Sequence, residues 1–189
     1  FMRDVRKTAY TQGRVIYDAD ADYGGWWFCC FPYVFVQEND VLPFFIHCDD
    51  VEYGLRCGKK PIIIEGVQVW HETYDKRMTP LMQYYDTRNP LFVNQLYGFL
   101  PEPLQLLRQW KDKMTAFHVK GDWLSEYYVI LAMNDFLKGM GWLKRIDAGK
   151  YHKKLQKAKS CKVKNAICWR LVEHRAKKKF MVHKNNCSG

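Results

Sequence analysis

The stretch that decides the fold runs from Phe44 to Glu72 and reads FFIHCDDVEYGLRCGKKPIIIEGVQVWHE. Its two short apolar runs, Phe44 to Ile46 and Ile62 to Ile64, are each bounded by Pro, Gly or charged residues, which predicts two buried strands. The acid pair Asp49-Asp50 follows the first run, and a Trp-His-Glu triplet ends the stretch. Because α/β enzymes place their chemistry at strand ends, we expect functional side chains at both positions.

The acid pair has two competing interpretations. An arbitrary pair of acids is usually a solvated turn, since charged residues are mostly exposed. Here apolar residues precede the pair, and Val51, Tyr53 and Leu55 alternate with polar residues after it. This context places Asp49 and Asp50 at the mouth of a buried segment and favours a role as a base or as a cation ligand.

His71 is the next candidate for chemistry. A lone histidine is more often structural than a ligand, and the sequence HETYD lacks the second histidine of the zinc-protease motif H-E-x-x-H. Together with Glu72 and the upstream acid pair, however, its imidazole can complete the coordination of a divalent metal. The spacing alone leaves both interpretations open.

The adjacent indoles of Trp26 and Trp27 also have a plain and a functional interpretation. Composition favours simple core residues. On an extended chain, however, neighbouring side chains point to opposite faces, so one indole can pack inward while the other lines a pocket. The spaced acids Asp18, Asp20 and Asp22 resemble a D-x-D metal motif, but no apolar strand precedes them, which favours a surface loop.

Composition sets the class of protein. A chain of 189 residues with 48% hydrophobic content can bury a sizeable core. Its 7 cysteines form no C-x-x-C pair, and their odd number argues against a complete disulfide framework. This cysteine pattern predicts that the protein resides in the reducing cytoplasm. No apolar run approaches the length that spans a bilayer. Because the chain begins at Phe1, we expect a fragment or a processed chain.

Basic charge is concentrated at the C-terminal end. Residues 1–143 carry 15 Lys and Arg against 18 Asp and Glu, whereas residues 144–189 carry 15 against 2. A partner of this basic segment must be anionic, and nucleic acid, a phosphorylated lipid or an acidic membrane leaflet fits that condition.

Helical periodicity dominates the second half of the chain. An amphipathic helix is predicted from Pro103, and a second one with Asp122 as its N-cap, ending before Gly139. A shorter helix is predicted from Pro80 to about Thr87. Its boundary is set by Asn89-Pro90, because the residue before proline avoids the helical region.

Four segments together resemble a known family. In their order and approximate spacing, WWFCCFP, FFIHCDDVEYGLR, VWHE and YYDTRNP resemble the family 2 glycosyltransferases, most closely the galactofuranosyltransferase and rhamnosyltransferase-like branch. The resemblance covers residues 23–91 and, more loosely, the helices to about residue 143. It implies an α/β fold: residues 1–100 would form part of a Rossmann-like GT-A sheet domain, and residues 101–189 a helical, basic C-terminal extension.

The same resemblance implies roles for individual residues. Asp50 would be the catalytic base with Asp49 beside it, and His71 would be a ligand of Mn²⁺ or Mg²⁺. The residues expected to contact substrate are Trp26, Trp27, Trp70 and Glu52.

The implied reaction is the inverting transfer of a sugar, galactofuranose or rhamnose, from a nucleotide-diphosphate donor to a glycan or glycolipid acceptor. Such chemistry belongs to cell-surface polysaccharide synthesis, and the basic segment would hold a cytoplasmic enzyme against the inner face of the membrane. Only 25 residues precede Trp26 where the family has a nucleotide-binding half, so we expect the C-terminal part of a longer enzyme. The alternatives are a non-catalytic basic nucleic-acid-binding protein, which no recognisable motif supports, and an inactive truncated transferase.

Overall fold

A computed structural model describes residues 15–17, 22–64 and 78–186. The chain divides into two compact units. Unit 1 comprises residues 1–42 and 48–76, and unit 2 comprises residues 43–47 and 77–189.

The described residues of unit 1 form two short strands and two helices. Strand β1 (Val15–Tyr17) pairs antiparallel with β2 (Ile62–Ile64), and helices α1 (Tyr33–Glu38) and α2 (Asp49–Cys57) lie between them in sequence. Helix α2 ends at Gly58, whose φ of 63° is left-handed and whose N–H donates to the carbonyls of Gly54 and Leu55. This is the glycine-terminated helix end expected where a side chain would be strained.

Aromatic side chains form the centre of unit 1. The Tyr53 ring of α2 is 3% exposed and makes edge contacts with Trp26, Phe31 and Phe35, at centroid distances of 5.4, 5.0 and 4.9 Å. Its hydroxyl donates to the carbonyl of Asn39 at 2.9 Å. The segment before α2 is thus packed on the helix by ring contacts rather than by a sheet.

Unit 2 is a bundle of helices. In chain order they are α3 (Met82–Leu96), α4 (Pro103–Val119), α5 (Trp123–Leu137), α6 (Met140–Leu143), α7 (Ala148–Leu155) and α8 (Lys162–Asn186). Helix α5 packs against α3, α4 and α8 and is therefore central. Its Phe136 ring meets Phe92 of α3 at 5.2 Å and Trp110 of α4 at 6.1 Å. None of the helices among the described residues is long and apolar enough to cross a membrane.

The predicted starts of helices α4 and α5 are both confirmed. Helix α4 begins at Pro103, a position where the missing N–H of proline costs nothing. Helix α5 is capped by Asp122, whose carboxylate accepts the N–H of Ser125 at 3.0 Å. The chain leaves α5 through Gly139, which has a φ of 84°.

The predicted Rossmann-like GT-A sheet is wrong. The described residues are mainly helical, and their strands form only the two-stranded ribbon of β1 and β2. The strand predicted for Ile62 to Ile64 is confirmed as β2, but Phe44 to Ile46 is irregular, with a left-handed φ of 75° at Phe45. The predicted burial fails at Phe45 and Ile62, which are 46% and 54% exposed, because a three-residue apolar run identifies neither its depth nor the partners of its backbone groups.

The predicted helix boundary before Pro90 is also wrong. Helix α3 continues through Pro90 to Leu96, although the proline cannot donate to the carbonyl of Asp86. Proline inside a helix costs about 3 kcal/mol. Leu91, Phe92 and Val93 are all buried beyond it, and this burial offsets the cost.

Candidate active site

The acid pair opens a helix. Asp49 and Asp50 are the first two residues of α2. Free N–H groups and the helix dipole both favour carboxylates in a first turn, and the Asp50 Oδ1 atom accepts the N–H of Val51 at 2.8 Å. The expectation that these acids follow a strand is wrong, because the acids themselves nucleate the first turn of a helix.

Burial controls the protonation of Asp50. The partly buried carboxylate loses hydration, which raises the pKa of Asp50 above its usual range. The hydrogen bond from Val51 lowers this pKa, the charge of Asp49 raises it, and the backbone N–H of Trp26 lowers it again. The net shift is upward, so the Asp50 carboxylate binds a proton more readily than an ordinary aspartate.

A glycine turn approaches Asp50 from the N-terminal side. A Cβ atom on Gly25 would lie 3.8 Å from the Asp50 Oδ2 atom, and one on Gly54 only 2.6 Å from the Tyr23 Cβ atom. Tyr23 therefore packs directly on α2, one turn beyond the acid. Burial, and next the charge of Asp50, raise the pKa of the Tyr23 phenol.

The two indoles differ in their environment. Trp26 is 36% exposed and packs edge-on against Tyr53 and Phe31, whereas Trp27 is 45% exposed. Both belong to the turn whose backbone reaches Asp50. Their contact with a substrate stays a prediction.

Glu52 is engaged within unit 1. Its side chain is 3% exposed, and its Oε1 and Oε2 atoms pair with Nε and Nη2 of Arg56 at 3.0 and 3.1 Å. Arg56 Nη2 also donates to the carbonyl of Asp40 at 2.8 Å. This ion pair ties the loop at Asp40 to α2, and the predicted substrate contact of Glu52 stays a prediction.

The predicted metal ligand lies outside the described residues. So do Trp70, Asp18 and Asp20, whereas Asp22 is exposed and pairs with Lys60 at 2.9 Å. Among the residues that the structure describes, no three His, Cys, Asp or Glu side chains come together in a way that suits a metal ion. The role of His71 as a ligand of Mn²⁺ or Mg²⁺ stays a prediction.

Two residues of the segment YYDTRNP, Arg88 and Asn89, have no role predicted from the sequence. In the structure Arg88 and Asn89 are 1% and 0% exposed, and both donate to the backbone of the segment that leads to the acid pair. The available signal was an Arg-Asn pair between the aromatic residues Tyr84-Tyr85 and the apolar run Leu91 to Val93, since polar groups need partners when buried.

Comparison with known proteins relates the chain to glycosyltransferases. It is 34% identical over 130 residues to the galactofuranosyltransferase GlfT2 of Mycolicibacterium smegmatis, covering 64% of this chain and 19% of that protein. It is 33% identical over 132 residues to the galactofuranosyltransferase GlfT2 of Mycobacterium tuberculosis, covering 64% of this chain and 20% of that protein. The chain thus spans about a fifth of the length of these curated relatives. No family model and no solved structure matches it.

Proposed function

We propose that this chain takes part in inverting glycosyl transfer from a nucleotide-diphosphate sugar to a hydroxyl of a glycan or glycolipid. Galactofuranose is the first candidate for the sugar because both curated relatives carry that name, and rhamnose is the second. The observation that carries the proposal is Asp50, a partly buried carboxylate of raised pKa beside a turn that bears two exposed indoles.

The proposed chemistry assigns Asp50 one step. The acceptor oxygen forms a bond to the anomeric carbon of the donor sugar from the face opposite the diphosphate. The bond from that carbon to the diphosphate oxygen breaks and the leaving group takes its electron pair. The hydroxyl proton passes to the Asp50 carboxylate, whose raised proton affinity suits this transfer.

The indoles and the metal complete the proposal. The apolar faces of Trp26 and Trp27 offer surfaces on which the C–H face of a sugar ring can stack, which aligns the acceptor hydroxyl. Mn²⁺ or Mg²⁺ held by His71 would neutralise the diphosphate when bound. Trp70 and Glu52 complete the residues assigned to substrate.

The basic segment suggests where the reaction takes place. Residues 144–189 include α7 and α8, and they carry an excess of 13 positive charges, from 15 basic and 2 acidic residues. Each Lys or Arg near an anionic leaflet contributes about 1 kcal/mol to membrane association. We place the chain at the cytoplasmic face of a membrane, where lipid-linked acceptors of cell-surface polysaccharides are accessible.

Replacement of Asp50 tests this function. In the complete gene product, Asp50→Asn should lower kcat about 10²- to 10⁴-fold and leave binding of the donor intact, because the amide keeps the shape and cannot accept the proton. Transfer is measured as nucleoside diphosphate released together with the mass of the glycan product. The matched control is Asp112→Asn, the same substitution at an exposed position of α4.

Two results would contradict the proposal. Near wild-type turnover of the Asp50→Asn variant would show that Asp50 is not the catalytic base. Absence of any transfer by the wild-type protein, with donor and divalent metal supplied, would favour the inactive transferase instead.

A further inference from the structure

Helix α8 carries apolar residues on two different sides. On its inward side, which packs against α5 and α4, Val172 and Ala176 are buried. Val163, Ile167 and Leu171 are instead 69%, 56% and 55% exposed. Because a helix turns about 100° per residue, these three residues, spaced four apart, share one side of α8 and point away from Val172 and Ala176. Apolar residues exposed singly are common on protein surfaces, but these three form a continuous stripe.

Hydrogen bonds at both ends of α8 fix which side faces the bundle. Near its start, Asn165 Nδ2 donates to the Trp123 carbonyl and to Glu126 Oε2, each at 2.8 Å. Further along, Lys179 Nζ donates to the Leu137 carbonyl at 2.9 Å. Both sets of acceptors belong to α5, so α8 cannot rotate about its axis to bury the stripe without losing these bonds.

Basic side chains surround the stripe. Helix α8 contains eight Lys and Arg residues and a single acidic residue, Glu173, which pairs with Lys177 at 2.8 Å. Arg170 and Lys178 are exposed and lie on the same side of the helix as the stripe, because they follow Ile167 and Leu171 at helical spacing. The outward side of α8 is therefore both aliphatic and positively charged.

This combination suits the surface of an anionic lipid leaflet. A helix that lies in the plane of a leaflet places aliphatic side chains at the boundary between headgroups and acyl chains, and its basic groups meet the lipid phosphates. Arg and Lys side chains are long enough to lie along apolar surface while their charged ends stay at the headgroups. The stripe and its basic neighbours satisfy both conditions on one side of one helix.

Two other partners fit this side of α8 less well. Nucleic acid would attract the basic groups, but bases stack on aromatic rings, and the side chains of Val163, Ile167 and Leu171 offer none. A second copy of the chain, docked symmetrically through α8, would bring the basic side chains of the two helices together, which is unfavourable. An anionic leaflet complements both the charge and the apolar surface.

We propose that α8 is a membrane-docking helix whose stripe of Val163, Ile167 and Leu171 enters the headgroup boundary of an anionic leaflet. The inference rests on the membrane location given under the proposed function, and it adds apolar insertion to the attraction of charge. It does not depend on the role of Asp50 in sugar transfer.

The double variant Ile167→Gln, Leu171→Gln is the direct test. Glutamine favours the helix and leaves every charge in place, so an association by charge alone would not change. Binding of the complete gene product is measured by co-sedimentation with vesicles of phosphatidylglycerol and phosphatidylcholine in equal amounts. We expect the partition coefficient to fall about 10- to 100-fold, because the variant loses the transfer of two aliphatic side chains from water.

The matched control is the double variant Leu104→Gln, Val119→Gln. It makes the same kind of change at two residues of α4 that are 66% and 80% exposed, and its binding should equal that of the wild type. Circular dichroism establishes that each variant is folded. If the α8 double variant does not fold, Ile167→Gln alone serves, with an expected fall of about 3- to 10-fold.

Salt separates the two contributions to binding. As salt rises past the screening range, attraction by charge fades for every variant, whereas transfer of the stripe from water does not. At a salt concentration that abolishes binding of the α8 double variant, the wild type should still bind the mixed vesicles.

Four results would overturn the inference. They are equal vesicle binding by the folded α8 double variant and the wild type, absence of vesicle binding by the wild type, stronger binding of the wild type to RNA or duplex DNA than to the mixed vesicles, and a dimer in sedimentation velocity that the α8 double variant converts to monomer. The first of these would leave the membrane location in place, with charge as its sole cause. Absence of sugar transfer by protein that binds vesicles as expected would overturn the proposed function and leave the docking helix standing.

Discussion

The hydroxyl of Tyr84 links a buried cation, Arg88, to a buried anion, Asp135, in the bundle of unit 2. It is fully buried, it accepts from Arg88 Nη1 at 3.1 Å, and it donates to the Asp135 carboxylate at 2.7 Å. Burial raises the pKa of the Tyr84 phenol far above its usual value, so the hydroxyl keeps its proton at neutral pH. The perturbation Tyr84→Phe removes this one oxygen and keeps the ring.

The expected loss of stability follows from the two hydrogen-bond partners of the Tyr84 hydroxyl, Arg88 and Asp135. A hydrogen bond to a charged group contributes about 1.5–3 kcal/mol, and Tyr84 makes one to a cation and one to an anion. Asp135 keeps Tyr151 and Lys138 as donors, which limits the loss. We therefore expect Tyr84→Phe to lower the free energy of unfolding by about 2–4 kcal/mol.

The neighbouring residue provides the control. Tyr85 is equally buried, but its hydroxyl has His152 Nδ1 as its partner, a neutral ring at 2.9 Å on the partly exposed side of the bundle. Tyr85→Phe should cost about 1 kcal/mol. Urea unfolding at neutral pH, with an unchanged slope against denaturant, measures both variants. Equal costs for Tyr84→Phe and Tyr85→Phe would refute the reasoning.

Three further predictions concern the candidate site and the basic segment. Asp49→Asn removes a like charge and should therefore lower the pKa of Asp50. Because the base must be deprotonated, the fall of kcat on the acidic side of the pH profile should move to lower pH. A fall that stays in place or moves to higher pH would contradict this prediction. His71→Ala should raise the Mn²⁺ concentration for half-maximal activity about 10- to 100-fold, and unchanged metal dependence would make His71 structural. The intact chain should co-sediment with anionic but not zwitterionic vesicles, and less so as salt rises; a marked preference for RNA or DNA would favour the nucleic-acid-binding alternative.

The parts of the fold that the sequence predicted well are those governed by local rules. Asp122 as N-cap and Pro103 as a helix start depend on neighbouring residues alone, and both are confirmed. The segment of residues 44–46 depends on donors more than forty residues away in α3, which periodicity does not contain. The continuation of α3 through Pro90 likewise depends on packing against α5.

The functional roles of the candidate residues stay predictions, whereas the secondary structure that holds the acid pair was predicted wrongly. The acid pair was identified from its apolar context, but its place at a helix start was missed although Asp and Glu favour the first turn of a helix. The ion pair between Glu52 and Arg56, one turn later, was not predicted, and the substrate contact of Glu52 stays a prediction. The hydrogen bonds from Arg88 and Asn89 to residues 44–47 were missed because sequence spacing does not show which distant backbone carbonyls these two side chains reach.

Several lysines of unit 2 lie against aromatic rings rather than extending freely. The pairs are Lys138 over Trp142 at 4.7 Å, Lys154 over Tyr151 at 5.9 Å, Lys162 over Trp123 at 5.9 Å and Lys164 over Tyr127 at 4.1 Å. A ring holds an ammonium group through its charge, so methylation preserves the contact whereas acetylation both neutralises the lysine and releases it. Acylation of these lysines would therefore change both the number and the arrangement of the positive charges of unit 2.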